Sequence, residues 1–360
     1  MSRSRYRSGA PLLLVPVVIG IVYLPALELG YVWDDIEIFI NNPALHKAEL
    51  VWNALFTPIL PATGYIRPLA LGSFSLEFLT FGLNASLSHA INLALHLGNT
   101  LLLLSIARRL NAQLGIRGGT WRLVAVGLGY GLHPGLIEPV AWVMGRFDLL
   151  VTFFCLLGIW GYVTLRGWRR DLWVSLSFIL AALSKEMAVT LPVILFLIYL
   201  GQPGRVAKWR SIAKDLLASG EWRLYALLGL AGAAIFFFRW LVMGHPANPE
   251  SATTPSFANP LQHLAFVGHT LLFFIRMSLF PFVGLNPQHP LDPADLGTAA
   301  ICLGIGTLVL VALILMILIH RRSWPPLLLA GWLMALLPVL NIIPLSIGGI
   351  SVMSVIWPFP

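Results

Sequence analysis

The stretch 87–110 reads LSHAINLALHLGNTLLLLSIARRL. As a helix rising 1.5 Å per residue it is about 36 Å long, enough to cross a hydrocarbon core of roughly 30 Å. It holds no acid until it closes on Arg108-Arg109. Inside it, His89, Asn92, His96 and Asn99 are spaced three, four and three, which places all four on one helical face. Polar groups at membrane depth are costly unless paired or hydrated. The face therefore looks either to other helices, as a hydrogen-bonding seam, or to a wet cavity lined by His89, Asn92 and His96. The two histidines stand about 10 Å apart along the axis, too far to share one metal ion.

Similar apolar runs recur along all 360 residues. The chain is 58% hydrophobic and 11% charged, with a mean hydropathy of +0.83. A soluble domain carries about 25% charged residues. Period-2 patterning is absent, which excludes a β-barrel. The fold class read from this is an all-α polytopic membrane protein with about nine or ten membrane segments.

Net charge is +8, and its distribution reads as topology rather than nucleic-acid binding. Positives cluster beside apolar runs at Arg3/Arg5/Arg7, Arg108/Arg109/Arg117/Arg122, Arg166/Arg169/Arg170, Arg205/Lys208/Arg210/Lys214 and Arg321/Arg322. Such clusters mark the cytoplasmic side. The expectation is a multi-pass protein of the inner membrane, its first helix uncleaved and its N-terminus cytoplasmic. Cys155 and Cys302 both lie in apolar runs and form no zinc or disulfide framework.

With that orientation, a first helix near 11–27 leads outward into a long external loop, 28–85, bearing short juxtamembrane helices such as AELVWNALF, 48–56. Further helices follow near 87–110, 121–132, 149–165, 172–183, 189–200, 222–243, 299–319 and 326–340. The run 261–282 carries His263, His269 and Arg276 and is read as a tilted or non-inverting outer element, which keeps Arg321/Arg322 inside.

The outer side then gathers the polar chemistry. GYVWDDIEIFINNP, 30–43, sets Asp34, Asp35 and Glu37 at the bilayer edge, although the chain has only 15 acids. Arg67 precedes Pro68. The hairpin HPGLIEPVAWVMGRFD, 133–148, brings His133, Glu138, Arg146 and Asp148. Arg146 and Asp148 read equally as a helix-start ion pair. Lys185-Glu186 ends a short helix, either as a structural pair or with the lysine facing an anion. Arginine presents a planar fork suited to phosphate oxygens.

In the order WDD…NNP, YIRPL, HAINLALHLGN, HPGLIEPVAWVMGRFDLL and LSKEMAVTLP, residues 20–345 resemble the membrane domain of the transmembrane-and-tetratricopeptide-repeat glycosyltransferases and their bacterial relatives, of the GT-C class. The resemblance implies a GT-C-like bundle over 1–345 with a short external tail, 346–360. It implies transfer of a sugar from a polyprenyl-phosphate carrier to a hydroxyl of a protein or glycan acceptor on the outer face. Asp34, with Asp35 beside it, matches the catalytic base; Arg67 and Lys185 match the phosphate-holding cations, and Arg146 and Arg276 are added to that group. No cofactor is required, although a carboxylate cluster would admit a divalent cation. The expected partners are the carrier, the acceptor and membrane lipids, with no nucleic acid. Two departures stand out: no tetratricopeptide repeats are read before Pro360, and ISVMSVIW, 350–357, has no charge where the family usually carries Glu-Arg-Tyr. They keep open an inactive GT-C-derived subunit of a larger membrane complex. A transporter of a lipid-linked substrate is the third reading.

Overall fold

The computed structural model describes residues 10–59, 65–116, 119–202, 212–243, 259–282, 297–320 and 324–340. The tail 346–360 and the pair Arg321/Arg322 lie outside the described residues. The protein is an all-α polytopic membrane protein; among the described residues there is no strand. The helices are α1 (Leu14–Tyr23, continued by 3-10 turns at both ends), α2 (Ala48–Leu55), α3 (Pro68–Phe81), α4 (Ala85–Gln113), α5 (Thr120–Gly131), α6 (Ile137–Ala141) and α7 (Arg146–Thr164). Then come α8 (Gly167–Ser184), α9 (Leu191–Leu200), α10 (Ile212–Ser219), α11 (Trp222–Met243), α12 (Pro260–Leu279), α13 (Thr298–His320) and α14 (Trp324–Leu336).

Five described segments are long and apolar enough to cross a membrane: Pro11–Glu28, Ala85–Gln113, Val143–Thr164, Trp222–Val242 and Thr298–Ile317. Shorter apolar helices lie at Pro68–Phe81, Glu186–Leu200 and Leu329–Val339. The helix α12, with His263, His269 and Arg276, falls short of that apolarity. Burial is inverted relative to a water-soluble protein. Leu13, Val17, Ile21 and Leu24 of the first span are exposed, whereas His89, Asn92, His96 and Asn99 are buried. Lipid solvates the first set and the bundle satisfies the second.

The chain divides into two compact units, 1–57 with 67–237 and 58–66 with 238–360. In the first, α4 starts at an Asn84 cap, whose side-chain oxygen accepts the Leu87 N–H at 3.1 Å. Its polar face then becomes a seam. Asn92 Nδ2 donates to the carbonyls of Trp142 (2.9 Å) and Val143 (3.2 Å). His96 Nε2 meets Gly131 O at 2.9 Å, and Asn99 Nδ2 donates to Leu149 O at 3.1 Å. Each seam residue thus tethers α4 to the backbone at the start of α7 or the end of α5. A Cβ on Gly131 would lie 2.1 Å from Ile19 Cδ1, so α1 and α5 pack closely there and a larger residue would require the Ile19 side chain to shift. A second core joins α7, α8, α9 and α11 through Val151, Val174, Phe178, Leu191, Leu195 and Leu224.

Within 28–85 the structure builds more than short amphipathic pieces. The run LALGSFSLEFLTF after Pro68 makes α3, whose Ala70, Leu71, Phe74, Ser75 and Glu77 are buried. In the second unit, α12 packs on α13 through Gly268 and Gly304. A Cβ on Gly268 would lie 2.0 Å from Gly304 O, and His269 Nε2 reaches Ala300 O at 2.6 Å.

Candidate functional site

The turn after the first span is fixed by a buried acid. Asp35 has no exposed surface. Its Oδ2 accepts the Val32 N–H and its Oδ1 the Met144 N–H, each at 2.9 Å. Its own N–H donates to Val32 O at 3.0 Å. These bonds close a tight turn and pin it to the loop before α7. Asp34, one residue earlier, is exposed, and no hydrogen bond or ion pair holds its carboxylate among the described residues. Burial raises the Asp35 pKa above its ordinary value; the Asp34 charge adds to this and the backbone N–H groups oppose it. Asp34 is raised as well, by the protein mass that shields it from part of the solvent. The two acids read as a pair in the sequence thus differ: Asp35 is a sealed brace and Asp34 a solvent-facing carboxylate.

Trp33, in the same turn, has φ +49° and stands edge-to-face with Trp142, their ring centroids 6.1 Å apart. Beyond Trp142, the 133–148 segment carries the remaining polar groups. His133 Nδ1 accepts the Gly135 N–H at 3.1 Å, capping the turn that leads into α6. Asp148, in the first turn of α7, accepts from Lys185 Nζ at 2.6 Å. Arg67, just before α3, pairs with Glu186 at 3.0 Å and lies over the Phe147 ring, 4.8 Å from its centroid. Glu138 senses the same group: burial raises its pKa, the Asp148 charge raises it further and Lys185 lowers it. The Asp148–Lys185 and Arg67–Glu186 pairs remain partly open to solvent.

Arg146 lies elsewhere. It is wholly buried. Its guanidinium pairs with Glu77 Oε2 at 2.7 Å and donates to Asn92 Oδ1 (3.1 Å) and Ser88 O (3.2 Å). The Phe74 ring closes the cage, 4.1 Å away. Ser88 donates its hydroxyl to Glu77 and also meets Tyr31 OH. Glu77 was not among the residues singled out from the sequence; its signal was a lone acid inside an apolar run, which needs a buried partner. His89 is buried against the Leu29–Gly30 backbone, and His96 lies between Tyr23 and Tyr130. Asn92 and His96 thus serve the interhelical seam. Arg276 belongs to the second unit, beside Phe273. Among the described residues no group of three His, Cys, Asp or Glu side chains is arranged to hold a metal ion.

Charge is segregated along the helices. Lys185 follows the last residue of α8, whereas Arg170, in its first turn, pairs with Asp171 and Glu221 at 2.7 and 2.6 Å. Fifteen residues of helix separate these groups by about 22 Å. The Asp148–Lys185 pair stands at one end of the bundle, with the basic clusters of α4 and α8 at the other.

An apolar-coated helical bundle with a buried polar seam and acids and cations at one end defines a multi-pass membrane protein with a polar site at one boundary. Comparison with known proteins narrows the class. The chain is 32% identical over 210 residues to protein O-mannosyl-transferase Tmtc2 of Drosophila melanogaster, covering 53% of this chain and 22% of the relative. It is 30% identical over 181 residues to protein O-mannosyl-transferase Tmtc1 of the same organism, covering 47% and 20%. To TMTC4 of Mus musculus, also a protein O-mannosyl-transferase, it is 27% identical over 290 residues, covering 68% and 39%. Over about half to two thirds of its length the chain is thus similar to transmembrane protein O-mannosyl-transferases. The alignments span only about a fifth to two fifths of these relatives' own length. No family model and no solved structure matches it.

Proposed function

We propose that the protein is a membrane glycosyltransferase that moves a sugar, mannose in the first instance, from a polyprenyl-phosphate carrier to an acceptor hydroxyl at the outer face of the inner membrane. Asp34 is the general base. It takes the hydroxyl proton as the oxygen attacks the anomeric carbon, and the bond from that carbon to the phosphate oxygen breaks. Arg67 and Lys185 meet the charge left on the polyprenyl phosphate. Asp35 holds Asp34 in place through the Val32 and Met144 N–H groups. Arg146 braces the segment that carries Met144 and Asp148. A divalent cation is not needed for a monophosphate leaving group, and a protein hydroxyl is the acceptor that the relatives' names favour.

The observation that carries this reading is the division between Asp34 and Asp35: an exposed, unengaged carboxylate on a turn locked by a buried one. The test is turnover of polyprenyl-phosphate mannose with a serine- and threonine-containing peptide, using the full chain in lipid nanodiscs. Asp34→Asn should lower the rate about 10²–10⁴-fold while carrier affinity is kept. A wild-type rate in that variant removes Asp34 from the role. The second reading, an inactive subunit of a larger membrane assembly, is favoured by the fact that Arg67 and Lys185 already hold carboxylates. If the wild-type chain turns over no polyprenyl-linked sugar and co-purifies with partner subunits, that reading replaces the first.

A further inference from the structure

Trp33 combines three properties that packing does not account for. Its φ of +49° lies in the left-handed region, which is uncommon for any side chain bearing a Cβ and an outlier for a bulky one. Such strain persists only where surrounding contacts over-determine it. Here those contacts are the Val32 and Met144 N–H groups that donate to Asp35, closing the turn and tying it to the loop before α7. The indole is 57% exposed, so burial of the side chain does not offset the strain. It also adjoins Asp34 in the same turn and meets Trp142 edge-to-face. The Trp142 carbonyl is held by Asn92, so the second ring sits on an anchored backbone. A strained backbone is thus being used to present a large aromatic face next to the unengaged acid.

We infer that Trp33, backed by Trp142, is the platform for the pyranose ring of the donor, a sugar subsite beside Asp34; the inference rests on the transferase reading. The C–H groups on one face of a pyranose are slightly positive and pack on the negative face of an indole, and the flat ring fixes which face of the sugar meets the base. The competing role for an exposed tryptophan at a bilayer boundary is that of an interfacial anchor, one member of an aromatic belt. The two roles differ in what they require: an anchor needs amphipathic bulk in the head-group layer, whereas a platform needs the ring face at one place.

The experiment measures binding, not turnover. The full chain with Asp34→Asn, in nanodiscs, is titrated with polyprenyl-phosphate mannose and, separately, with sugar-free polyprenyl phosphate. The ratio of the two dissociation constants reports the contribution of the sugar. Trp33→Gly removes the ring and suits the positive φ, so the turn is not strained further. Trp33→Leu keeps apolar bulk without a ring face, and Trp33→Phe keeps a smaller ring. The mannose-bearing carrier is expected to bind tighter to the parent. Trp33→Gly and Trp33→Leu should weaken its binding by about 2- to 10-fold, leave sugar-free carrier binding unchanged, and be partly rescued in Trp33→Phe. A parent that binds both carriers equally, or a ratio that survives Trp33→Gly and Trp33→Leu, overturns the sugar platform and leaves the phosphate and base assignments standing. Equal weakening of both carriers also overturns it and assigns Trp33 to the membrane boundary. A parent that binds neither carrier overturns the transferase reading, and the platform with it.

Discussion

Replacing Glu77 by alanine leaves the Arg146 charge buried with only neutral acceptors, Asn92 Oδ1 and Ser88 O, and the Phe74 ring. At 2.7 Å and an effective dielectric of about 20, the attraction removed is roughly 6 kcal/mol. Desolvation of both ions offsets most of this in the intact pair. Once one partner is gone, however, the remaining charge keeps its desolvation cost without the attraction, and such truncations cost about 3–5 kcal/mol. The Ser88 hydroxyl also loses its Glu77 acceptor and keeps only the Asn84 carbonyl, at 3.2 Å, and Tyr31 OH. Glu77→Ala should therefore lower unfolding stability in detergent by about 3–5 kcal/mol, read from the midpoint and slope of a denaturant titration. Glu77→Leu with Arg146→Met removes both charges and restores apolar contact with Phe74. It should recover most of the loss, because a buried pair is often replaceable by apolar residues of similar volume. A Glu77→Ala loss below about 1 kcal/mol, the size of an exposed pair, would refute the reasoning. So would a double variant no more stable than the single one.

Three shorter tests bear on other parts of the molecule. Gly145→Ala would place a Cβ 2.5 Å from Pro139 O, a backbone atom that cannot swing away; the overpacking should cost about 1–3 kcal/mol, and a thermal midpoint equal to wild type would show that the 139–145 loop shifts freely. Gly268→Ala meets Gly304 O at 2.0 Å and should force α12 from α13, seen as faster proteolysis within 259–320; an unchanged digest would contradict that packing. Glu138 titrates above its ordinary 4.5 because partial burial and the Asp148 charge raise it, while the Lys185 charge lowers it. If Lys185 turns to a carrier phosphate, the Glu138 pKa rises further, a proton is taken up, and affinity should strengthen as pH falls toward that pKa. Glu138→Gln should flatten this dependence, and a wild-type affinity that is flat from pH 5 to 8 would exclude the linkage.

The polar seam was legible from spacing because a helix has one period, and three-four-three steps fix a face without knowledge of the neighbours. Its partners were not legible. Asn92, His96 and Asn99 bond to main-chain carbonyls at 131, 142, 143 and 149, and a carbonyl has no letter in a sequence. The 28–85 segment concealed Glu77, since its prolines and acids suggested a loop around a helix, α3, whose inner face, Glu77 included, is buried. Arg146 and Asp148 looked like a helix-start pair, yet residues two apart on a helix do not face each other. Arg146 turns inward to Glu77, and Asp148 meets Lys185. Lys185 and Glu186 are adjacent and opposite in charge but do not pair. Lys185 is extended, with φ −161° and ψ 151°, so successive side chains leave in opposite directions.

That alternation gives the site its resting charge balance. Two cations close together would repel unless anions lay between them, and here one extended residue sends Lys185 to Asp148 and its neighbour Glu186 to Arg67. Each pair is neutral at rest, so on the proposed transferase reading a carrier phosphate would have to displace a carboxylate. The pairs differ in how readily they yield. Side-chain exposure is 24% and 42% for Lys185 and Asp148, against 12% and 26% for Arg67 and Glu186. Water screens the first pair more strongly and would hydrate a freed Asp148 more easily, so on that reading Lys185 would exchange first. Arg67 is held by Glu186 and by the Phe147 ring together, which fixes its fork. The same logic explains the acids at the membrane edge. Asp35 cannot serve as the base while both of its oxygens accept main-chain N–H groups in a sealed site. With its charge held in the turn, it leaves Asp34 on the exposed side, where the proposed transfer would need a base to meet an acceptor hydroxyl.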